Sequence, residues 1–152
     1  MRKHLTDHRM NCLQCCIAGM FDLELEEVPG AHAWSKSHDY WFAGMYEWSK
    51  KKLNHIPIAV TDDTLDDLFH IAMTETPEGQ LHAVIAYGTK IVWDPTPTSE
   101  VEDLSNATYS LVFVPTGGLS VQKACLMSFV SDWAQEASKS IGEKLNKEMK
   151  NG

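Results

Sequence analysis

Three side chains spread over the first two-thirds of the chain have types suited to joint chemistry: Cys12, His82 and Asp94. Cys12 follows Asn11, a good helix N-cap, and opens an apolar run, so it stands at the start of a helix. There the positive end of the helix dipole favours the thiolate. A thiolate is a nucleophile for acyl transfer. It needs an imidazole partner, and the imidazole needs a third group to fix its tautomer. Cysteine, histidine and aspartate supply those roles in chain order. With four cysteines and seven histidines present, residue types alone do not single out this triple. The elements that carry it must bring the three side chains together.

Residues 12–20 read Cys-Leu-Gln-Cys-Cys-Ile-Ala-Gly-Met, apolar nearly all round, which predicts a buried helix with Cys15 and Cys16 filling the core behind Cys12. Residues 39–53 set Trp41, Met45, Trp48 and Lys52 at helical spacing and end on Lys50, Lys51 and Lys52, which suit a helix C-terminus. Between these helices, His32, Trp34 and His38 fall in an expected loop. The period then changes. Residues 56–60 are strand-like, 61–64 are placed to cap a short helix through Leu68, and 69–74 form a strand. Thr76 to Gly79 is a turn, residues 81–87 and 91–93 are a hairpin around Gly88-Thr89, and 109–114 are a further strand. Residues 120–149 are helical again, with a broad apolar face that narrows to Ile141, Leu145 and Met149, a stripe suited to contact with a partner. Helices, then antiparallel strands, then a helix predict an α+β fold. One domain is expected over residues 1–152, with a core at about 10–115 and a C-terminal helix at about 120–149.

The hairpin imposes a geometric condition. A regular two-residue loop at Gly88-Thr89 sets His82 opposite Pro95 and points His82 and Asp94 to opposite faces of the sheet. A three-residue loop or a bulge returns them to one face, and one of the two is expected.

Composition narrows the rest. A formal net charge of −8 argues against general nucleic-acid binding and against adhesion to anionic membranes. The basic start, Met-Arg-Lys-His, has no apolar stretch after it and is not a secretory signal, and the apolar run at residues 124–130 is too short to span a bilayer. A cytoplasmic protein with free thiols follows as the expectation.

The run Asn11-Cys12-Leu13-Gln14-Cys15-Cys16-Ile17-Ala18-Gly19-Met20, followed by Leu23-Glu-Leu-Glu-Glu-Val-Pro29, resembles the start of papain-like cysteine peptidase domains. It is most similar to small uncharacterised phage and bacterial members, which themselves resemble the peptidases that process bacteriocin leader peptides. His82-Ala83-Val84-Ile85 and Trp93-Asp94-Pro95-Thr96-Pro97 are similar to the His-Ala-Val strand and the Asp-Pro-x-Pro strand end of that group. The resemblance covers roughly residues 10–97. It implies a papain-like core, an N-terminal helix packed on a twisted antiparallel sheet. It also implies Cys12 as nucleophile, His82 as general base, Asp94 as the orienting carboxylate, and Cys16 as a structural residue. A peptide or protein substrate and no cofactor follow. Papain-like enzymes commonly have a glutamine shortly before the nucleophile to donate to the oxyanion, and here none precedes Cys12. The backbone N–H of Cys12 can serve as one donor. Asn11, His8 and Gln14 are the side-chain candidates for another.

Other readings stay in view. Cys12-x-x-Cys15 has the spacing of a zinc half-site, with His4 and His8, themselves an H-x-x-x-H pair, and Cys125 as completions, but a second C-x-x-C is missing, and no metal is expected. The same pair lacks the preceding strand of a thioredoxin-type motif. Gly117-Gly118 has no phosphate-loop pattern around it. Tyr40, Trp41, Phe42, Tyr46 and Trp48 suit a core, with some lining a cleft. The rival to an enzyme is a catalytically silent papain-like binding module, phage-encoded and acting on a host protein.

Overall fold

The computed structural model describes residues 1–7, 11–37, 40–61 and 65–116. Its elements are α1 (Cys12–Met20), a 3₁₀ turn (Leu25–Glu27), α2 (Ala31–Ser37), α3 (Trp41–Leu53), β1 (His55–Val60), β2 (Phe69–Glu75), β3 (Leu81–Tyr87), β4 (Lys90–Trp93) and β5 (Ala107–Pro115). The strands form one antiparallel sheet in the order β1-β5-β2-β3-β4. The protein is α+β. Pro57, which cannot donate to a ladder, lies on the edge strand β1. The interior strands β2 and β3 are buried from their second to their sixth residue, as their nearly unbroken apolar runs require.

Alternation along the strands divides the core. Ile71, Met73, Ala83, Ile85 and Leu111 meet Cys16, Ile17 and Ala18 of α1, Trp34 of α2 and Met45 of α3. Ala72, Val84 and Ala86 form a separate cluster with Ile91 and Leu104. The helical layer thus holds α1 against β3, and the start of α1 comes to the end of β3 that carries His82.

Two glycines let backbones approach in this layer. A Cβ on Gly19 would lie 2.6 Å from the Arg2 carbonyl oxygen, because the N-terminal segment crosses α1 there and the Arg2 N–H donates to the Gly19 carbonyl at 3.1 Å. A Cβ on Gly44 would lie 2.5 Å from Trp34 Cβ, where α2 crosses α3. Gly44→Ala is expected to destabilise the fold by ~1–3 kcal/mol, read as a lowered midpoint in thermal melting, because neither backbone can retreat without disturbing buried Trp34.

The structure departs from the sequence expectation in two places. The segment expected as a loop at His32 and Trp34 is the helix α2. The short helix expected through Leu68 is not formed at residues 65–68, which make a turn with Asp67 at φ 53. This turn lies against the β3–β4 hairpin, where the Gly88 N–H donates to the Leu68 carbonyl at 3.0 Å. Residues 62–64 of that expectation, and the helix expected at 120–149, lie outside the described residues. Among the described residues, no helix is long and apolar enough to cross a membrane.

Candidate active site

Cys12 is the first residue of α1, with Asn11 at the N-cap. The Asn11 carbonyl accepts the Cys15 N–H at 2.9 Å, but its side chain makes no capping bond. Instead, Asn11 Oδ1 accepts the Asp7 N–H at 3.1 Å. Cys12 is half-buried in the wall of a cleft, whereas Cys15 and Cys16 are fully buried.

His82 and Asp94 meet through a bulge. The Gly88-Thr89 loop has two residues, with Tyr87 opposite Lys90 and Ala86 opposite Ile91. The register then slips, so that Ile85 faces Trp93 and Val92 is left over. The extra residue restores the alternation that a regular hairpin would spoil. Asp94 Oδ1 accepts from His82 Nε2 at 2.7 Å, which leaves Nδ1 for the side-chain hydrogen bond with Cys12.

Electrostatics favour charge at all three positions. Burial pushes the Cys12 thiol up, but hydrogen bonds from His82 and from the Ala83 N–H, the His82 charge, and the Leu13 N–H more than offset it, and the thiol ends below its ordinary value. Burial pushes His82 down, yet its bonds to Asp94 and Cys12 and their negative charges raise it to about 9. Burial raises Asp94, and its bonds from His82, Ser99 and the Thr96 N–H bring it below the usual carboxylate value. Cys16, fully buried, is pushed well above the ordinary thiol value. Between the ionisations of Cys12 and His82 the pair is a thiolate beside an imidazolium, a nucleophile and a proton donor in contact.

The cleft at Cys12, of about 590 Å³, is lined by Asn11, Leu13 and Gln14 of the α1 start, by Gly30 to Ala33, and by Trp41, Met73 and Leu81. His32 therefore borders it, as does Trp41. Trp34 is buried in the core, and Tyr40, Phe42 and Tyr46 line a different groove. Gln14 is committed elsewhere. Its Nε2 donates to the Leu25 and Val28 carbonyls at 3.0 and 2.6 Å, which removes it from the oxyanion donors. His4 is likewise engaged, its Nε2 with the Leu23 carbonyl at 2.8 Å. His8, His38 and Cys125 lie outside the described residues. Among the described residues no group of three or more His, Cys, Asp or Glu side chains could hold a metal.

Sequence reasoning missed what supports Asp94. The Ser99 hydroxyl donates to Oδ2 and the Thr96 N–H donates to Oδ1 at 2.8 Å. An aspartate entering a Pro- and Thr-rich loop commonly accepts such local bonds, and that was the available signal. It also missed the role of the N-terminal segment. The Thr6 N–H donates to the Pro95 carbonyl at 2.9 Å, the two hydroxyls of Thr6 and Thr96 share a 2.7 Å bond, and Trp93 Nε1 donates to the His4 carbonyl at 3.0 Å. With the Arg2–Gly19 bond, this strap links α1, which carries Cys12, to the strand end that carries Asp94.

Comparison of the chain with protein-family models, curated proteins and solved structures found no match. Function must therefore be read from the site.

Proposed function

We propose that the chain is a cysteine acyl-transfer hydrolase with a papain-like core, acting on a peptide, isopeptide or other amide bond. The observation that carries this is the 2.7 Å bond from His82 Nε2 to Asp94 Oδ1, with Cys12 at the start of α1 on the other side of the ring, where His82 lowers its ionisation. A nucleophile at a helix start, packed on an antiparallel strand that bears its imidazole, supports the papain-like reading. The support given to Asp94 by Ser99 and Thr96 favours an enzyme over a silent binding module, since a module needs no oriented imidazole.

In the first half of the reaction the Cys12 thiolate attacks the carbonyl carbon and a C–S bond forms. The carbonyl oxygen becomes an oxyanion beside the N-terminus of α1, with the Cys12 N–H as one donor. Collapse breaks the C–N bond, and the His82 imidazolium gives its proton to the leaving amine. In the second half neutral His82 takes a proton from water, the resulting hydroxide attacks the thioester, and the Cys12 thiolate departs. Asp94 holds His82 by Nε2 throughout, so Nδ1 stays on the reaction side. Trp41, Met73 and Leu81 in the cleft wall suit an apolar side chain on the acyl part of the substrate. A reactive thiol of this kind works in a reducing compartment such as the cytoplasm.

The test is acyl-enzyme capture. Incubation with p-nitrophenyl acetate should add one acetyl group to the Cys12 peptide in mass spectrometry, and Cys12→Ala should abolish the burst of nitrophenolate. Acetylation distributed over lysines with no Cys12 adduct would refute the reading.

A further inference from the structure

Resting on that reading of Cys12, we propose that the Asn11 side-chain amide is the second oxyanion donor, taking the place of the glutamine that does not precede the nucleophile in this chain. Asn11 is 8% exposed. Its Oδ1 is fixed as an acceptor by the Asp7 N–H at 3.1 Å, which leaves Nδ2 as the free end of the carboxamide. Nδ2 is buried, and among the described residues nothing accepts its hydrogens. A buried amide donor without a partner is uncommon in folded proteins and calls for a functional account.

The location supplies that account. Several buried polar atoms among the described residues lack a partner, including Ser49 Oγ, His70 Nδ1 and Thr74 Oγ1, but those residues do not line the Cys12 cleft, and Asn11 does. Asn11 also precedes the nucleophile directly and stands at the N-cap of a nine-residue helix without capping it. The first-turn N–H groups of α1 are therefore not covered by its side chain. Leu13 and Ala83 point their N–H groups at the Cys12 sulfur. This leaves the Cys12 N–H and, once the buried amide turns toward the cleft that Asn11 lines, Asn11 Nδ2 as the proposed donors to an oxygen. The competing side chain, Gln14, has both amide hydrogens directed at the Leu25 and Val28 carbonyls. An oxyanion formed on attack by Cys12 thus meets one backbone and one side-chain donor, and the carbonyl of the ground state needs neither as strongly.

Two probes separate this role from that of the thiolate. Iodoacetamide alkylates sulfur with departure of iodide and forms no oxyanion. p-Nitrophenyl acetate acylates through a tetrahedral oxyanion. In Asn11→Ala and in the bulkier Asn11→Leu, which fills the site without a donor, acylation of Cys12 should slow by about 10²-fold while alkylation of Cys12 keeps the wild-type rate. Acylation at the wild-type rate in both variants would overturn the proposal. Equal loss of acylation and alkylation would also overturn it and make Asn11 a structural residue. A wild-type Cys12 that neither probe modifies would remove the nucleophile on which the proposal rests, a failure separate from that of Asn11.

Discussion

Replacing His82 by alanine is expected to slow acyl transfer by about 10³–10⁴-fold and to move the ionisation of Cys12 upward. Cys12 sits in a half-buried position whose desolvation pushes the thiol up. His82 opposes that with both a hydrogen bond and a charge, while the Ala83 and Leu13 N–H groups supply only the remainder. Removing the ring leaves burial less opposed. It also removes the acid that protonates the leaving amine and the base that activates water. The measurement is the rate of Cys12 alkylation by iodoacetamide against pH, set beside burst kinetics with the ester. The variant's alkylation profile should lie at higher pH than the wild type's. For the wild type, acyl transfer should rise as pH passes the lowered Cys12 ionisation and fall as the imidazolium is lost near pH 9.

Asp94→Asn is expected to reduce acyl transfer by about 10²-fold. In a serine triad the corresponding change costs about 10⁴-fold, because the carboxylate must support an imidazolium that forms only during reaction. Here the thiolate already faces His82 and shares that task, so the loss is smaller. The asparagine amide can present a donor to Nε2 and turn the ring, and Ser99 and the Thr96 N–H lose their charged acceptor. The same variant should alter the pH dependence of stability. Asp94 lies below its ordinary value of 3.8, so its contribution is present above that pH and is lost as pH falls through the lowered folded value. His82 is raised from 6.5 to about 9, so its contribution is complete below 6.5 and is lost as pH rises through about 9. Denaturation of Asp94→Asn at several pH values should show the largest deficit relative to wild type between these limits, shrinking toward pH 9.

Much of the site could be read from residue patterns because its parts sit in strongly periodic or strongly punctuated segments. The Asn11-Cys12 helix start and the apolar run to Met20 define α1 without tertiary information. The near-continuous apolar run of β3 and the Gly88-Thr89 turn define the hairpin. Placing His82 and Asp94 on one face then required a longer loop or a bulge, and the extra Val92 is that bulge, although nothing in its sequence marks it over its neighbours. α2 escaped notice because its seven residues have no acidic first turn and only Trp34 is buried deeply. It is held by the close crossing at Gly44, a contact between distant side chains and backbone. Residues 61–64 offered cap-like residues, but the following segment is drawn into a turn against Gly88, so tertiary contact overrides local propensity. The N-terminal strap depends on a chain return of 90 residues at Thr6 and Thr96, and spacing alone does not reveal it.

The proposed activity turns on Cys12 being an activated thiol paired with His82. Its most direct test is the pH dependence of iodoacetamide alkylation of the wild-type protein, resolved peptide by peptide in mass spectrometry. Cys12 should react ahead of buried Cys15 and Cys16, with an ionisation below the ordinary thiol value of 9.0. Alkylation of Cys12 with an ionisation at or above that value, or no faster than Cys15 and Cys16, would contradict an activated Cys12–His82 pair.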